Sequence, residues 1–344
     1  MDVAVKLRYF IIRRILLSII VLFGVCVITF FIARVIPANP AAMWVGTHPT
    51  QEQIERAEKE LGLDKPLHTQ FLIYMDKLIH GDLGVSIRTR RPVIEDILAY
   101  LPASLELVGT GMVIAIVIGI PLGVEAATKK DSWIDHLSRL FSIGGVSIFS
   151  PWLGMMGQLL FFKWLGLLPA GDRISTIVSI QYPIQKVTGF YLIDSILTGN
   201  FVAFQDALAH IILPAFVVAA YPLGLVSRMI RSTMADVLEE DYIRTARAYG
   251  VPERIVAYKY ALKNSLGPTI TVLALSFAYS LVETFLIEMV FNWPGLGRYA
   301  ALSIISLDYP AIMGIAIFIA LVYILLNLVV DLLQAVIDPR VRLE

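Results

Sequence analysis

Cysteine occurs once in the 344 residues, and charged side chains make up only 16% of them. The lone Cys26 lies inside an apolar run, so an intrachain disulfide and a cysteine metal cluster are both excluded, and the residue reads as a small packing group. No G-x-x-x-x-G-K-[ST] nucleotide loop occurs, which leaves the chain without a visible means of binding ATP. His48, His68, His80, His136 and His210 are scattered, and the i, i+4 pairing of histidine with an acid that a zinc site would show is not expected among them. With no catalytic constellation either, the chain is not expected to be an enzyme, and no cofactor, metal or nucleic-acid partner is assigned to it.

What the chain has in quantity is apolar surface. Hydrophobic residues reach 57%, against the ~45–50% usual for soluble domains, and the mean hydropathy is +0.74. That is the composition of an integral, all-α, polytopic membrane protein. The formal net charge is zero, so the useful fact is where charges sit relative to the apolar runs.

Lys6, Arg8, Arg13 and Arg14 precede the apolar run Ile15–Ala33. The run is longer than the ~7–15 residues of a signal-peptide core and no small-x-small cleavage site follows, so a retained first span with a cytoplasmic amino terminus is expected over residues 1–35. Residues 36–101 are polar and read as an extracytoplasmic lobe. Within it Thr50-x-x-Gln53 is a capping box opening a helix that ends near Gly62, and Pro66 begins a second, amphipathic stretch closing at Gly81. The lobe either covers the outer mouth or touches an extracytoplasmic protein.

Residues 102–344 form the core. Span two is Leu105–Ala127, its inner end marked by Lys129, Lys130 and Arg139; a third run, Ser138–Leu168, carries Gly144, Gly145, Gly154, Gly157 and the break Ser150-Pro151, and reads as kinked or split. Span four, Ala207–Ile230, is interrupted by Pro214 and Pro222 and ends at Arg228 and Arg231; spans five and six are Leu266–Val290 and Ala311–Ile337. The densest basic segment, with Arg244, Arg247, Arg254, Lys259 and Lys263, lies between spans four and five, which places loop 233–265 in the cytoplasm. About six crossings return the carboxyl terminus, with Arg340 and Arg342, to the same side.

In that loop Ile243, Ala246 and Gly250 recur at helical spacing, and Ile255, Tyr258 and Leu262 repeat the pattern after a break. Two short amphipathic helices are expected, the first ended by Gly250 with positive φ and the second opened by Pro252. Small Ala246 and Gly250 leave a shallow face for a partner. The competing reading, a basic helix lying on lipid, is opposed by Glu239, Glu240, Asp241 and Glu253. Glu106, Glu283 and Asp331 are acids placed in the spans, with Asn327 four residues before Asp331. They read either as structural pairs between helices or as lining of a translocation path, which is assigned to Glu283 and Asp331. A proton-coupled carrier would use such groups as a relay, but acids without arginine or histidine partners fit that role poorly.

Asp241-Tyr242-Ile243-Arg244-Thr245-Ala246-Arg247-Ala248-x-Gly250, followed by Tyr260-Ala261-Leu262-Lys263-Asn264 and Pro268, resembles the EAA loop of ABC importer permeases. Further stretches run from end to end: Leu61-Gly62-Leu63-Asp64-Lys65-Pro66, Gly81-Asp82-Leu83-Gly84-x-Ser86, Leu101 through Leu107, Gly119 through Gly123, Trp293-Pro294-Gly295-Leu296-Gly297-Arg298, Asp308-Tyr309-Pro310 and Asp338-Pro339-Arg340. The ordered set is similar to the B-type permeases of the peptide/nickel group. Tyr249 stands where lysine is common, and Gly267 replaces a bulky apolar residue. The resemblance implies an ABC type I importer permease fold in the cytoplasmic membrane, a second homologous permease, two ABC ATPases that bind ATP and magnesium, and an extracytoplasmic solute-binding protein. It implies coupling to the ATPases through Glu240, Asp241, Thr245, Ala246, Arg247, Gly250 and Arg254. Peptides are the expected cargo, with oligosaccharides or nickel as alternatives.

Overall fold

A computed structural model describes the backbone at residues 2–35, 40–45, 49–60 and 62–337. Arg340, Arg342 and His48, and the side chains of Lys6 and Arg8, lie outside the described residues. Among these residues there is no strand, only an isolated bridge between Val85 and Pro92. The helices are α1 (Asp2–Val35), α2 (Pro40–Val45), α3 (Gln51–Glu60), α4 (Leu67–Ile79), α5 (Val93–Thr128), α6 (Trp133–Ser147), α7 (Ser150–Gly157, continued by a π-helical stretch Gln158–Trp164), α8 (Thr176–Gln181), α9 (Tyr191–Leu197) and α10 (Phe201–Val237). After them come α11 (Asp241–Ala248), α12 (Glu253–Ile255, followed by π-helical Val256–Ala261), α13 (Leu262–Val290), α14 (Leu296–Ile305) and α15 (Tyr309–Ile337).

Five helical stretches are long and apolar enough to cross a membrane, and the pair α6 and α7, bent by 109° at its break, makes a sixth if it counts as one span. The expected third run is thus split, at Ile148-Phe149, just before Ser150-Pro151 opens α7. Pro214 and Pro222, by contrast, do not interrupt span four: α10 passes through both without a break. Both prolines are buried against neighbouring helices, a setting in which transmembrane helices tolerate the lost backbone bond.

The chain forms two compact units, one comprising the described residues up to Leu101 with Arg298–Leu325, the other Pro102–Gly297 with the described residues from Leu326. In the first, Gln53 Oε1 accepts from the Thr50 N–H at 3.0 Å and Thr50 Oγ1 accepts from the Gln53 N–H at 3.3 Å, a complete capping box. α3 ends beside Gly62 (φ +67), and Gly81 (φ +78) follows α4. Two of the sequence stretches meet here: Ser86 Oγ donates to the buried Asp308 carboxylate at 2.5 Å, and the Ile87 and Arg88 N–H groups donate to it at 3.0 and 3.1 Å. Asp308 so fastens the 86–88 turn to the start of α15. Cys26 is buried in α1.

In the second unit the small residues set helix separation. A Cβ on Gly123 of α5 would stand 2.7 Å from the Ser227 carbonyl oxygen of α10, and one on Gly224 of α10 would stand 2.8 Å from the Ser142 carbonyl of α6. Lipid supplies no hydrophobic drive between helices, so such close backbone packing carries the association.

Candidate functional site

The segment after α10 is built as a rigid turn on an apolar anchor. Ile243 of α11 is fully buried among Val226, Ile230, Met234, Val256 and Ala257. At the end of α11 the Gly250 N–H donates to the Arg247 carbonyl at 3.0 Å and the Val251 N–H to the Ala246 carbonyl at 3.2 Å, with Gly250 at φ +72. This is a Schellman closure, and it needs glycine at the left-handed position. Val251 and Ala246 both pack on the same apolar cluster. Across the turn Arg247 Nη2 and Nε donate to the two Glu253 oxygens at 2.6 and 3.1 Å. Tyr242 Oη accepts from Asn264 Nδ2 at 2.7 Å, tying α11 to the first turn of α13.

Of the residues assigned to coupling, Glu240, Asp241, Thr245, Arg247, Gly250 and Arg254 are exposed, and Thr245 Oγ1 donates to the Asp241 carbonyl at 2.9 Å. Ala246 is half-buried, turned toward the bundle. Tyr249, 84% exposed, is the most prominent apolar group of the turn.

The second short helix expected after the break is not separate. Glu253 opens a helix that runs through the π-helical stretch into α13 and ends at Val290. Its buried face is Val256, Ala257, Ala261 and Ser265, while Ile255 and Tyr258 are exposed. Leu262, also expected on that face, is half-buried against the same cluster, and the π-helical turn, which accommodates an extra residue, breaks the 3.6-residue period before it.

Beneath the loop lies a cluster that sequence reasoning missed. Asp135 of α6, fully buried, accepts from Arg231 of α10 at 2.5 and 3.1 Å and from Arg139 at 2.7 and 3.3 Å. Ser138 and Ser227 hydroxyls meet at 3.0 Å close by. Arg231 bolts α10 to α6, while Arg139 pairs with Asp135 within α6; that i, i+4 pair was the available signal.

At the opposite end of this unit Glu106 is not without a partner, contrary to expectation. Its Oε2 accepts from Arg173 Nη2 at 2.5 Å and Nε at 2.9 Å, both side chains under 9% exposed, and its Oε1 accepts from the Leu192 N–H at 2.8 Å. Arg173 also donates to the Gly189 carbonyl at 2.7 Å and lies 3.7 Å over the Tyr191 ring. The partner is 67 residues away in a polar connection, out of reach of spacing arguments. Next to it, the Asp194 carboxylate accepts from the N–H groups of Val187, Thr188 and Gly189 and from Thr188 Oγ1. Burial pushes the Asp194 carboxyl up, and these four donors outweigh it and hold it below its ordinary range.

Glu283 lies half-buried in α13, seven residues before its end, and accepts a hydrogen bond from Ser150 Oγ at the start of α7. An ionised group turned to lipid at such a place costs at least about 2.5–3.5 kcal/mol. Asp331 is half-buried on α15. Two histidines do pair with an acid four residues before them: His80 with Asp76 at 3.7 Å and His210 with Asp206 at 3.4 Å. Among the described residues no group of three such side chains could hold a metal.

The comparisons with known proteins agree along the chain. Residues 119–343 match the family described as binding-protein-dependent transport system inner membrane component, and residues 7–108 match its amino-terminal companion. Among curated relatives, the probable D,D-dipeptide transport system permease protein DdpB of Escherichia coli K12 is 47% identical over 94% of each chain. The dipeptide transport system permease proteins DppB of Alkalihalophilus pseudofirmus and of Escherichia coli K12 are 41% and 40% identical, over 96% and 97% of this chain and 98% of each relative. With the buried anchor at Ile243, the Schellman turn at Gly250 and the apolar spans that carry them, this similarity places the chain in the family of binding-protein-dependent transport system inner membrane components, the multi-pass permeases of ABC importers.

Proposed function

We propose that this chain is the transmembrane permease subunit of an ATP-driven importer of di- and oligopeptides. It forms the translocation path with a second homologous permease, receives its cargo from an extracytoplasmic solute-binding protein, and binds two ABC ATPases, which hold the ATP and magnesium. Both termini and the loop 233–265 lie in the cytoplasm. The peptide cargo rests on the names of the relatives, and oligosaccharide or nickel cargo is the alternative within the same machinery.

The observation that carries the reading is the construction of α11: anchored inward by Ile243 and closed by Gly250, it leaves Asp241, Thr245 and Tyr249 to solvent. A short rigid element so held passes the movement of a bound ATPase to α10 and α13. ATP binding then biases one access state over the other. Glu240, Asp241, Thr245, Arg247, Gly250 and Arg254 supply the docking surface, and Ala246 supports it from behind.

The test is Gly250→Asp. A Cβ at Gly250 meets nothing within 4 Å, but a side chain at φ +72 strains the turn, so the amount of variant in the membrane and its assembly with the partner subunits are measured alongside uptake. Uptake of a labelled dipeptide and ATP hydrolysis stimulated by the binding protein are both expected to fall more than tenfold. Normal uptake refutes the coupling role. Uptake driven by a pH gradient without ATPases would favour a carrier.

A further inference from the structure

Four polar side chains of α10 and α13 remain unused by the coupling surface. Tyr221 and Tyr279 face each other with ring centroids 4.9 Å apart. Glu283 lies one turn beyond Tyr279 on α13, and Arg228 two turns beyond Tyr221 on α10. Tyr221 facing Tyr279 and Thr233 facing Ser265 show that α10 and α13 run antiparallel. From the tyrosine pair, then, the acid lies about 6 Å toward one end and the base about 10 Å toward the loop.

None of the four is hidden. Tyr279 is 49% exposed, Arg228 is exposed, and Glu283 and Tyr221 are half-buried. Among the described residues Arg228 makes no ion pair, and the Ser150 hydroxyl is the single hydrogen-bond donor to Glu283. A charged stripe on helices otherwise suited to lipid faces water or another protein. The break between α6 and α7 falls beside it, since Ser150 is the first residue of α7. Irregular backbone at membrane depth is tolerated where it is buried in protein or lines a water-filled cavity, which favours the path over a lipid or dry subunit contact.

We propose that Glu283, Tyr279, Tyr221 and Arg228 form a polar ladder in the translocation path for a small zwitterionic peptide. The Glu283 carboxylate receives the peptide's ammonium group and the Arg228 guanidinium its carboxylate. The tyrosine pair between them offers ring faces and hydroxyls to the backbone. An extended peptide covers about 3.5 Å per residue, so four or five residues span the two charges, and shorter peptides reach both with the length of the two side chains. The inference rests on the peptide-importer reading above.

The test uses the whole complex in proteoliposomes with saturating peptide-loaded binding protein, and reads peptide moved per ATP hydrolysed. Glu283→Gln and Arg228→Gln are each expected to lower that ratio at least fivefold, and Glu283→Asp and Arg228→Lys to restore it to within twofold. An unchanged ratio in both Gln variants overturns the ladder. So does loss of the second permease on purification of Glu283→Gln with a normal ratio in the complex that remains, which would make the acid a contact between subunits. Because Arg228 is exposed and free of ion pairs among the described residues, its variants answer the question even if Glu283→Gln fails to assemble. If the unaltered complex shows no ATP-dependent peptide uptake, the importer reading itself has failed, a result separate from any change in the ratio.

Discussion

At the loop end Ile243 fixes α11 to the bundle by apolar contact and leaves Asp241, Arg244 and Thr245 to solvent, whereas at the far end of the same unit Glu106 and Arg173 are themselves the fastening, both withdrawn from water. On the coupling role proposed above, the loop end keeps its polar groups available to a partner and takes its rigidity from the side turned away. In the connection between α7 and α10, Ile177, Ile180, Val187 and Leu197 are exposed, and buried, fully bonded charge does the fastening instead.

Four measurements would break or sharpen this contrast. The largest effect is expected from Glu106→Gln, which leaves the Arg173 guanidinium buried without its counter-charge; breaking a buried pair in this way costs about 3–5 kcal/mol, visible in thermal unfolding of the purified complex. A silent substitution would mean that the far end is not held by charge. Ile243→Ala removes the anchor of α11 and is expected to cost about 3 kcal/mol, with faster proteolysis between Leu238 and Pro252 as its local signature. If cleavage is unchanged, the loop is held by something other than that side chain.

Asp194 provides the third. Its folded carboxyl lies below the ordinary value of 3.8, so its contribution is complete above that value and is lost as pH falls through the lower folded one. Hydrogen exchange at Val187–Gly189 should therefore be insensitive to that group above pH 3.8, once intrinsic rates are corrected, and lose protection in stronger acid. Asp194→Asn should remove the transition. The smallest effect belongs to Glu253→Gln, which breaks the Arg247 pair on a half-exposed surface and should cost under about 1 kcal/mol. A larger loss of stability would show that charge fastens the loop end as well.

Local chemistry was legible in the sequence. The capping box at Thr50 and Gln53, the turns at Gly62, Gly81 and Gly250, and the break before Pro151 each depend on residues within a few positions of one another, and each forms as read. Partners separated by long stretches of chain were not. Asp135 meets Arg231 across 96 residues and Asp308 meets Ser86 across 222, and no periodicity connects them. Continuity was also hidden. Pro214 and Pro222 look like interruptions locally, yet tertiary packing holds α10 through both. After Glu253, Leu262 faces the cluster as expected but Ile255 and Tyr258 do not, because a π-helical turn breaks the period that the reading assumed. Of the groups assigned to function on α11, Asp241, Thr245 and Arg247 are exposed and Ala246 is turned toward the apolar cluster.

The uninterrupted stretch from Glu253 to Val290 is 38 residues long, or about 57 Å at 1.5 Å per residue. Pivoted at its Glu253 end, such a boom carries a tilt of 10° into roughly 10 Å of travel at its Val290 end by this same length. A modest tilt at one end of the stretch thus becomes, at the other, a displacement about as long as three extended residues.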